Sequence, residues 1–418
     1  MSHWFHRNPI KATAPQKFDV KGCTTDGQAL KLCGDLRQCR AQLLTILTSP
    51  SQSVADVVMA YTNYVSLLQG LLQACDERGG ESKLRYFYMF RWSNSIIPDA
   101  SVEQQDAMFE LIHISINLAL WYMKRAAFVA SKDSISVDEA KEVHRCLRLA
   151  AGVFKEMQTN YTGRLLGETP KSTDVDSRVL VAYVNQCSAE AQEVTIAQAI
   201  ERKHAPALIS ALANETAKLF IGADASLAKV EEVYVGKWRR YLQLKGAIYE
   251  ACAYCYCGEN LLAQDKCGEA IKALQEANKA FDSSLELCKE YAKAKGVGST
   301  VKPEQHIFFR NLRARVDRTL EKCERENGMI YHQKVPDVPP ELEMKATFGL
   351  VSPETFTLPP LHPQWTPATY KAFDLGQIKR ENKNNGWAKK GGSLPRVEEE
   401  PIPFSKGMES TSSGCSIQ

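Results

Sequence analysis

The chain has 418 residues, 44% of them hydrophobic, a formal net charge of +3 and 13 cysteines. That apolar content fills a large core, either as two or three compact domains or as one extended helical array. So balanced a charge argues against a nucleic-acid surface. The first residues, "MSHWFHRNPIKATAP", carry no apolar run and place Ser at position 2, so neither a secretory signal nor N-myristoylation is expected. The most apolar stretch, "LIHISINLALWYM" at 111–123, falls short of the roughly 20 residues that span a bilayer and reads as a core helix. The cysteines are odd in number and lack framework spacing, which predicts reduced thiols in a cytosolic or nuclear protein.

In chain order, the first 25 residues, with Pro9 and Pro15, read as extended. Helical periodicity then dominates, with helices predicted near 27–48, 52–77, 101–131, 136–162, 174–202, 205–220, 226–264, 267–294 and 303–326. Ser101 with Gln104 and Ser136 with Glu139 have capping-box spacing, and Pro303 suits a first helical turn. The segments around "KCG" at 266–268 resemble a tetratricopeptide-type hairpin. Small residues (Ala253, Gly258, Ala270, Ala277) stand where the paired helices approach. No clean 34-residue repeat recurs, so an irregular helical solenoid is expected.

Composition changes after Glu326. Eight prolines lie between 336 and 367 and exclude helix there. The same stretch keeps Phe348, Leu350, Phe356, Leu358, Leu361 and Trp365, which predicts an extended arm packed back on the helical body. Disorder is expected to begin between Trp387 and Phe404.

Catalytic motifs are missing: no G-x-S-x-G, P-loop, G-x-G-x-x-G or H-E-x-x-H. Cys252, Cys255 and Cys257 lack the partners of a four-ligand zinc site and read as helix-packing thiols. His332 reads as a turn or surface residue. The chain is therefore expected to be a non-enzyme with no catalytic residue, metal or cofactor.

Three stretches carry a family resemblance. "CGEAIKALQEANKAF" (267–281) is similar to a signature of Bro domains, the ALIX family. "NGMIYHQKVP" (327–336) matches the stretch that ends that family's helical core. "AQEVTIAQAIERKHAPALISALANETAKLF" (191–220) aligns without gaps to one of its helical hairpins. The resemblance implies a mostly α, boomerang-shaped Bro domain over 1–390, with tetratricopeptide-like hairpins and a small N-terminal sheet. The helical core would run over about 25–327, the packed arm over about 328–376, and a flexible tail over 391–414. It also implies binding of the C-terminal amphipathic helix of ESCRT-III subunits (charged multivesicular body proteins) in a concave apolar groove. Leu208 and Leu212 fall on the family's patch positions, with Thr195 where ALIX has an aromatic anchor. Ordinary core is the bland reading of Leu208 and Leu212. On the patch reading, the row Leu208, Leu212 and Leu219 is left exposed. Tyr331 aligns with a tyrosine that is a kinase target in the family, and structural anchoring is the alternative. A second reading stays open: a helical-repeat scaffold for another cytosolic partner, such as a small GTPase or cytoskeletal protein.

The last four residues, Cys415-Ser416-Ile417-Gln418, fit a C-a-a-X prenylation signal, with Gln favouring farnesyl. Processing would remove Ser416, Ile417 and Gln418 and leave a methylated farnesyl-cysteine. From Val397 onward one lysine stands against four glutamates, a net of −3, so anionic lipid is expected to repel this segment. One prenyl chain binds membrane only marginally. The expectation is a monomeric protein on the cytosolic face of endosomal, plasma or nuclear-envelope membranes, with a soluble pool, made by the prenylation machinery.

Overall fold

The computed structural model describes residues 3–402 apart from positions 21, 78, 133, 168–169, 300, 302–306, 343–348 and 378–388. Pro303, Phe348, Trp387, Cys415, Ser416, Ile417 and Gln418 therefore lie outside the described residues. Ten α-helices and a three-stranded antiparallel sheet occur among those described.

The extended N-terminal segment is buried rather than draped on the surface. His6, Arg7, Asn8 and Lys11 are all inside. Burying cations is costly unless each meets an opposite charge and further hydrogen bonds. Arg7 accordingly lies 2.7 Å from Glu190 and donates to the Met123 carbonyl. Helix α1 (Gly27–Ile46) starts on Asp26, which accepts from the Ala29 amide, and α2 (Val54–Leu72) starts on Ser53. Strands β1 (Phe90–Ser93) and β2 (Ser101–Gln104) pair antiparallel, with Arg91 opposite Glu103.

The helix predicted from Ser101 begins six residues later, as α3 (Ala107–Ala130), capped by Asp106. The apparent capping box fails because its side chains serve other partners. Ser101 Oγ donates to the Gly392 carbonyl at 2.6 Å, and the Gln104 amide donates to the Leu166 carbonyl at 3.1 Å. At α4 (Val137–Glu156) the predicted box is present in full, with Ser136 and Glu139 each satisfying the other's backbone N–H.

Helices α5 (Ser177–Glu201), α6 (Pro206–Leu227), α7 (Glu232–Leu262), α8 (Cys267–Lys293) and α9 (Ile307–Glu326) each pack on the one before. The α7–α8 turn occupies 263–266, so Cys267 and Gly268 already belong to α8. Gly258 explains how closely that pair approaches: a Cβ there would sit 2.6 Å from Leu274 Cγ. Short α10 (Pro367–Lys371) follows the arm. Strand β3 (Lys389–Gly391) then adds to β2, so the sheet expected at the N-terminus is completed from the far end of the chain.

Candidate partner-binding groove

After α9 the backbone widens into a π-turn, Asn327–Tyr331, and reverses at His332, which holds a left-handed φ of 50°. Asn327 fixes that reversal from both sides. Its amide donates to the Gln333 carbonyl and its carbonyl oxygen accepts from the Gln333 amide, each at 2.9 Å. Gln333 in turn donates to the Asp265 carbonyl and accepts from the Gly268 amide. Tyr331 Oη donates to the Asp265 carboxylate at 2.6 Å, and that bond holds the phenol pKa up at about 12. The "NGMIYHQKVP" pattern is thus a lock that joins the exit of α9 to the α7–α8 turn.

From this lock the arm runs backward across the helices. Gln192 on α5 donates to the Gly349 carbonyl at 2.6 Å and accepts from the Val351 amide at 2.8 Å. On α4, Arg148 donates to the Ser352 carbonyl and accepts from the Glu354 amide. Phe356 meets Tyr61 of α2, and Trp365 seats on Gly70 with its indole N–H on the Leu67 carbonyl at 2.7 Å. Trp365 is buried and Phe356, Leu358 and Leu361 are half-buried, as expected of a packed arm, and Tyr370 and Phe373 just beyond it are buried too.

The arm passes directly over the residues singled out on α5 and α6. A Cβ on Gly349 would lie 3.4 Å from Leu212 Cδ2 and 3.5 Å from Thr195 Cγ2. Leu212 is consequently only 1% exposed, which corrects the expectation of a fully open leucine row. Leu208, one turn earlier, and Leu219 are half-buried, and Thr195 is partly exposed. The structure does bring Thr195 and Leu212 together, with the arm as a third wall. It adds Leu350, flanked by the two clamped residues and 51% exposed. Sequence reasoning assigned Leu350 to arm packing. The alternation of a clamped backbone with an outward side chain becomes visible only once Gln192 is known to hold the strand. Thr195 is small where an aromatic side chain would displace the arm.

Cys252 and Cys255 are buried on α7, and burial pushes the Cys252 thiol up to about 12. Both pack inside the helical core, the placement expected of helix-packing thiols. No group of three candidate metal ligands occurs among the described residues.

The tail also departs from expectation, because residues 391–402 lie against the body instead of leaving it. Arg396 pairs with Asp99 at 2.9 Å. Glu399 accepts from the Ile10 amide at 2.9 Å and meets Lys124 at 2.6 Å. Glu400 accepts from Ser51 at 2.7 Å and from Ser49, while its amide donates to the Thr48 carbonyl. Two of the four glutamates counted as lipid-repelling are thus engaged by the protein.

Residues 24–372 match the family model for the BRO1-like domain. The chain belongs to that family. It is 52% identical over 382 residues to the BRO1 domain-containing protein BROX of Homo sapiens, covering 91% of this chain and 93% of the relative. With its Danio rerio counterpart it is 45% identical over 417 residues, end to end in both, and with the BROX homolog of Caenorhabditis elegans 40% over 428. Among solved structures it is similar to one described as "Structure basis for endosomal targeting by the Bro1 domain", with a TM-score of 0.64, 20% identity and 84% and 93% of the two chains covered. The "ALIX BRO1 CHMP4C complex" follows with a TM-score of 0.62, 17% identity and 87% and 97% covered. These likenesses establish the Bro1-domain fold, mostly helical with a small antiparallel sheet.

Proposed function

We propose that the chain is a farnesylated, non-enzymatic adaptor that binds the C-terminal amphipathic helix of ESCRT-III subunits and acts in ESCRT-dependent membrane remodelling. The observation that carries this reading is the surface where the arm at Gly349 meets Thr195 and Leu212, with Leu350 exposed next along the arm and Leu208 half-buried one helical turn from Leu212. It offers apolar side chains beside a rigid, hydrogen-bonded strand, which suits the helix-in-groove mode. Membership of the Bro1-domain family supports it, as does a structural relative solved with CHMP4C. Compared with an aromatic anchor, Thr195 offers little burial, so Leu350 and Leu208 would carry the contact.

The lipid would sit on Cys415, with the prenylation machinery as a transient partner and Ser416, Ile417 and Gln418 removed. A single farnesyl chain is marginal alone, so groove and lipid would act together at membranes that already carry ESCRT-III polymer. Endosomal, plasma and nuclear-envelope membranes all fit, reached from a soluble monomeric pool. Tyr331 has a structural duty in the α9 lock. A phosphate there would face the Asp265 carboxylate and open the lock, which gives modification a physical consequence.

The test is binding of a fluorescent ESCRT-III C-terminal helix, read by anisotropy. Leu208→Asp and Leu350→Asp should each weaken binding at least tenfold with the circular dichroism melt unchanged. Leu212→Asp should instead lower the melt, because its carboxylate would enter a closed core. Full affinity in folded Leu208→Asp and Leu350→Asp chains rejects the groove.

A further inference from the structure

The turn between α1 and α2 takes its shape from α3 beneath it. Trp121 donates its indole N–H to the Ser49 carbonyl at 2.9 Å, and Arg125 donates to the Pro50 and Ser51 carbonyls at 3.1 and 3.2 Å. The serine side chains are not needed for that shape and serve the C-terminal segment instead. The Ser49 and Ser51 hydroxyls lie 2.8 Å apart, and both donate to the same oxygen of Glu400, Ser51 at 2.7 Å. These bonds, the one from Ser49 foremost, hold the Glu400 carboxyl below its usual range, so the acceptor is charged at neutral pH. The Glu400 amide completes the contact by donating to the Thr48 carbonyl at 3.0 Å. Ser51 and Glu400 are both exposed.

A serine hydroxyl donates only while it keeps its proton. Phosphate on Ser51 would remove that donor and set a charge of about −1.5 to −2 against the Glu400 carboxylate. Glu399 lies on the same stretch of backbone, with its own contacts to Lys124 and the Ile10 amide. The Arg396–Asp99 pair is too exposed, at 67% and 73%, to hold the segment by itself. The turn keeps its shape, because α3 grips its backbone and not its hydroxyls. Arg125, although shared with Glu142 at 2.7 Å, also places a cation at the modified turn.

We infer that Ser51 is a phosphorylation site whose modification releases residues 391–402 from the body. A Ser/Thr kinase supplies the phosphoryl group from ATP. The Ser51 oxygen forms the new O–P bond, the bond from the γ-phosphorus to its bridging oxygen breaks, ADP leaves, and the hydroxyl proton passes to the kinase's base. The release goes beyond the adaptor reading and does not depend on it. Where lipid and groove act together, the longer link to Cys415 lowers their joint effect.

The experiment places phosphoserine at position 51 of the full-length chain by genetic encoding and follows hydrogen exchange of residues 391–402. Exchange there should rise at least tenfold with the thermal melt unchanged. Ser51→Ala removes the donor without adding charge and should raise exchange no more than about threefold. In the unmodified chain Glu400→Lys should also speed exchange. In the phosphorylated chain the same substitution turns repulsion into attraction and should bring exchange back to within about threefold of the parent. Unchanged or slower exchange on phosphorylation, with Arg125 drawing the phosphate away from Glu400, overturns the release, as does failure of Glu400→Lys to restore protection. Occurrence is read separately, by phosphopeptide mass spectrometry of the chain from cells treated with a phosphatase inhibitor. Phosphate is expected on Ser51, and more of it in Glu400→Ala, where the hydroxyl is no longer engaged. An unmodified Ser51 in both chains overturns the site.

Discussion

His6 sits inside the protein, where a charge on its ring is costly. Its Nδ1 lies 3.1 Å from Tyr291 Oη and 3.0 Å from the Ser299 carbonyl, and Nε2 faces Asn8. Burial, and next the nearby Lys237 charge, push its pKa down to about 3, and burial drives His113 the same way. Below about pH 6.5 the unfolded chain gains a proton at His6 that the folded chain refuses. Stability is therefore complete above pH 6.5 and falls with pH until the folded group itself titrates. At pH 5 the His6 loss amounts to about 2 kcal/mol. Urea unfolding at pH 7 and pH 5 should show that fall, and His6→Gln should reduce the difference by about that amount. An unchanged pH difference in the variant would mean that His6 is not the neutral group described.

Three helical glycines act at the next scale, as seats for the arm. A Cβ on Gly152 would fall 1.9 Å from the Glu354 carbonyl oxygen, one on Gly268 2.4 Å from that of Lys334, and one on Gly70 2.0 Å from the Trp365 ring. Backbone cannot yield as a side-chain end can, so Gly152→Ala should lift the arm off α4. The cost is expected at about 2 kcal/mol or more, despite alanine's better helix propensity. Hydrogen exchange of residues 349–358 should accelerate in Gly152→Ala and stay unchanged in Gly222→Ala, whose added Cβ would meet nothing nearer than 3.4 Å.

These seats also show what a sequence makes legible. The arm was foreseen because eight prolines forbid helix while aromatic residues demand burial. Its path was not, because a glycine inside a helix gives no sign of what lies across it. The family resemblance places Leu208 and Leu212 on one patch, and their spacing of four puts both on one helix face. Only the arm's position separates them, covering Leu212 and leaving Leu208 half open. The false helix start at Ser101 has the same origin, since its capping partners were taken by Gly392 and Leu166, distant in sequence. The buried Arg7, Lys11 and Arg40 were invisible for a related reason. Each is inside because a carboxylate distant in sequence meets it there (Glu190 on α5, Asp174 in the turn before α5, and Glu110 on α3).

At the scale of the whole molecule, the C-terminal segment closes the structure onto its beginning. β3 completes the sheet, Arg396 ties to Asp99, and Glu399 and Glu400 bind Lys124, Ile10 and the α1–α2 turn. Residues 391–402, expected to belong to a flexible tail, are thus held on the body, and 12 residues (403–414) separate them from Cys415. Lys124 is buried, so removing Glu399 strands a cation in the protein, a loss of about 3 kcal/mol for a pair of this kind. The clasp is local, and that loss should appear as release of the segment rather than global unfolding. Trypsin should cut after Arg396 at least tenfold faster in Glu399→Ala/Glu400→Ala than in the parent, with the main thermal transition little changed. Freed to about Lys389, the link would lengthen from 12 to about 26 residues, and its effective local concentration would fall about threefold by the −3/2 power. Membrane recruitment that depends on lipid and groove together should drop by that factor in the double variant. A drop as large as that of Cys415→Ser would mean that the clasp does more than set the length of the link.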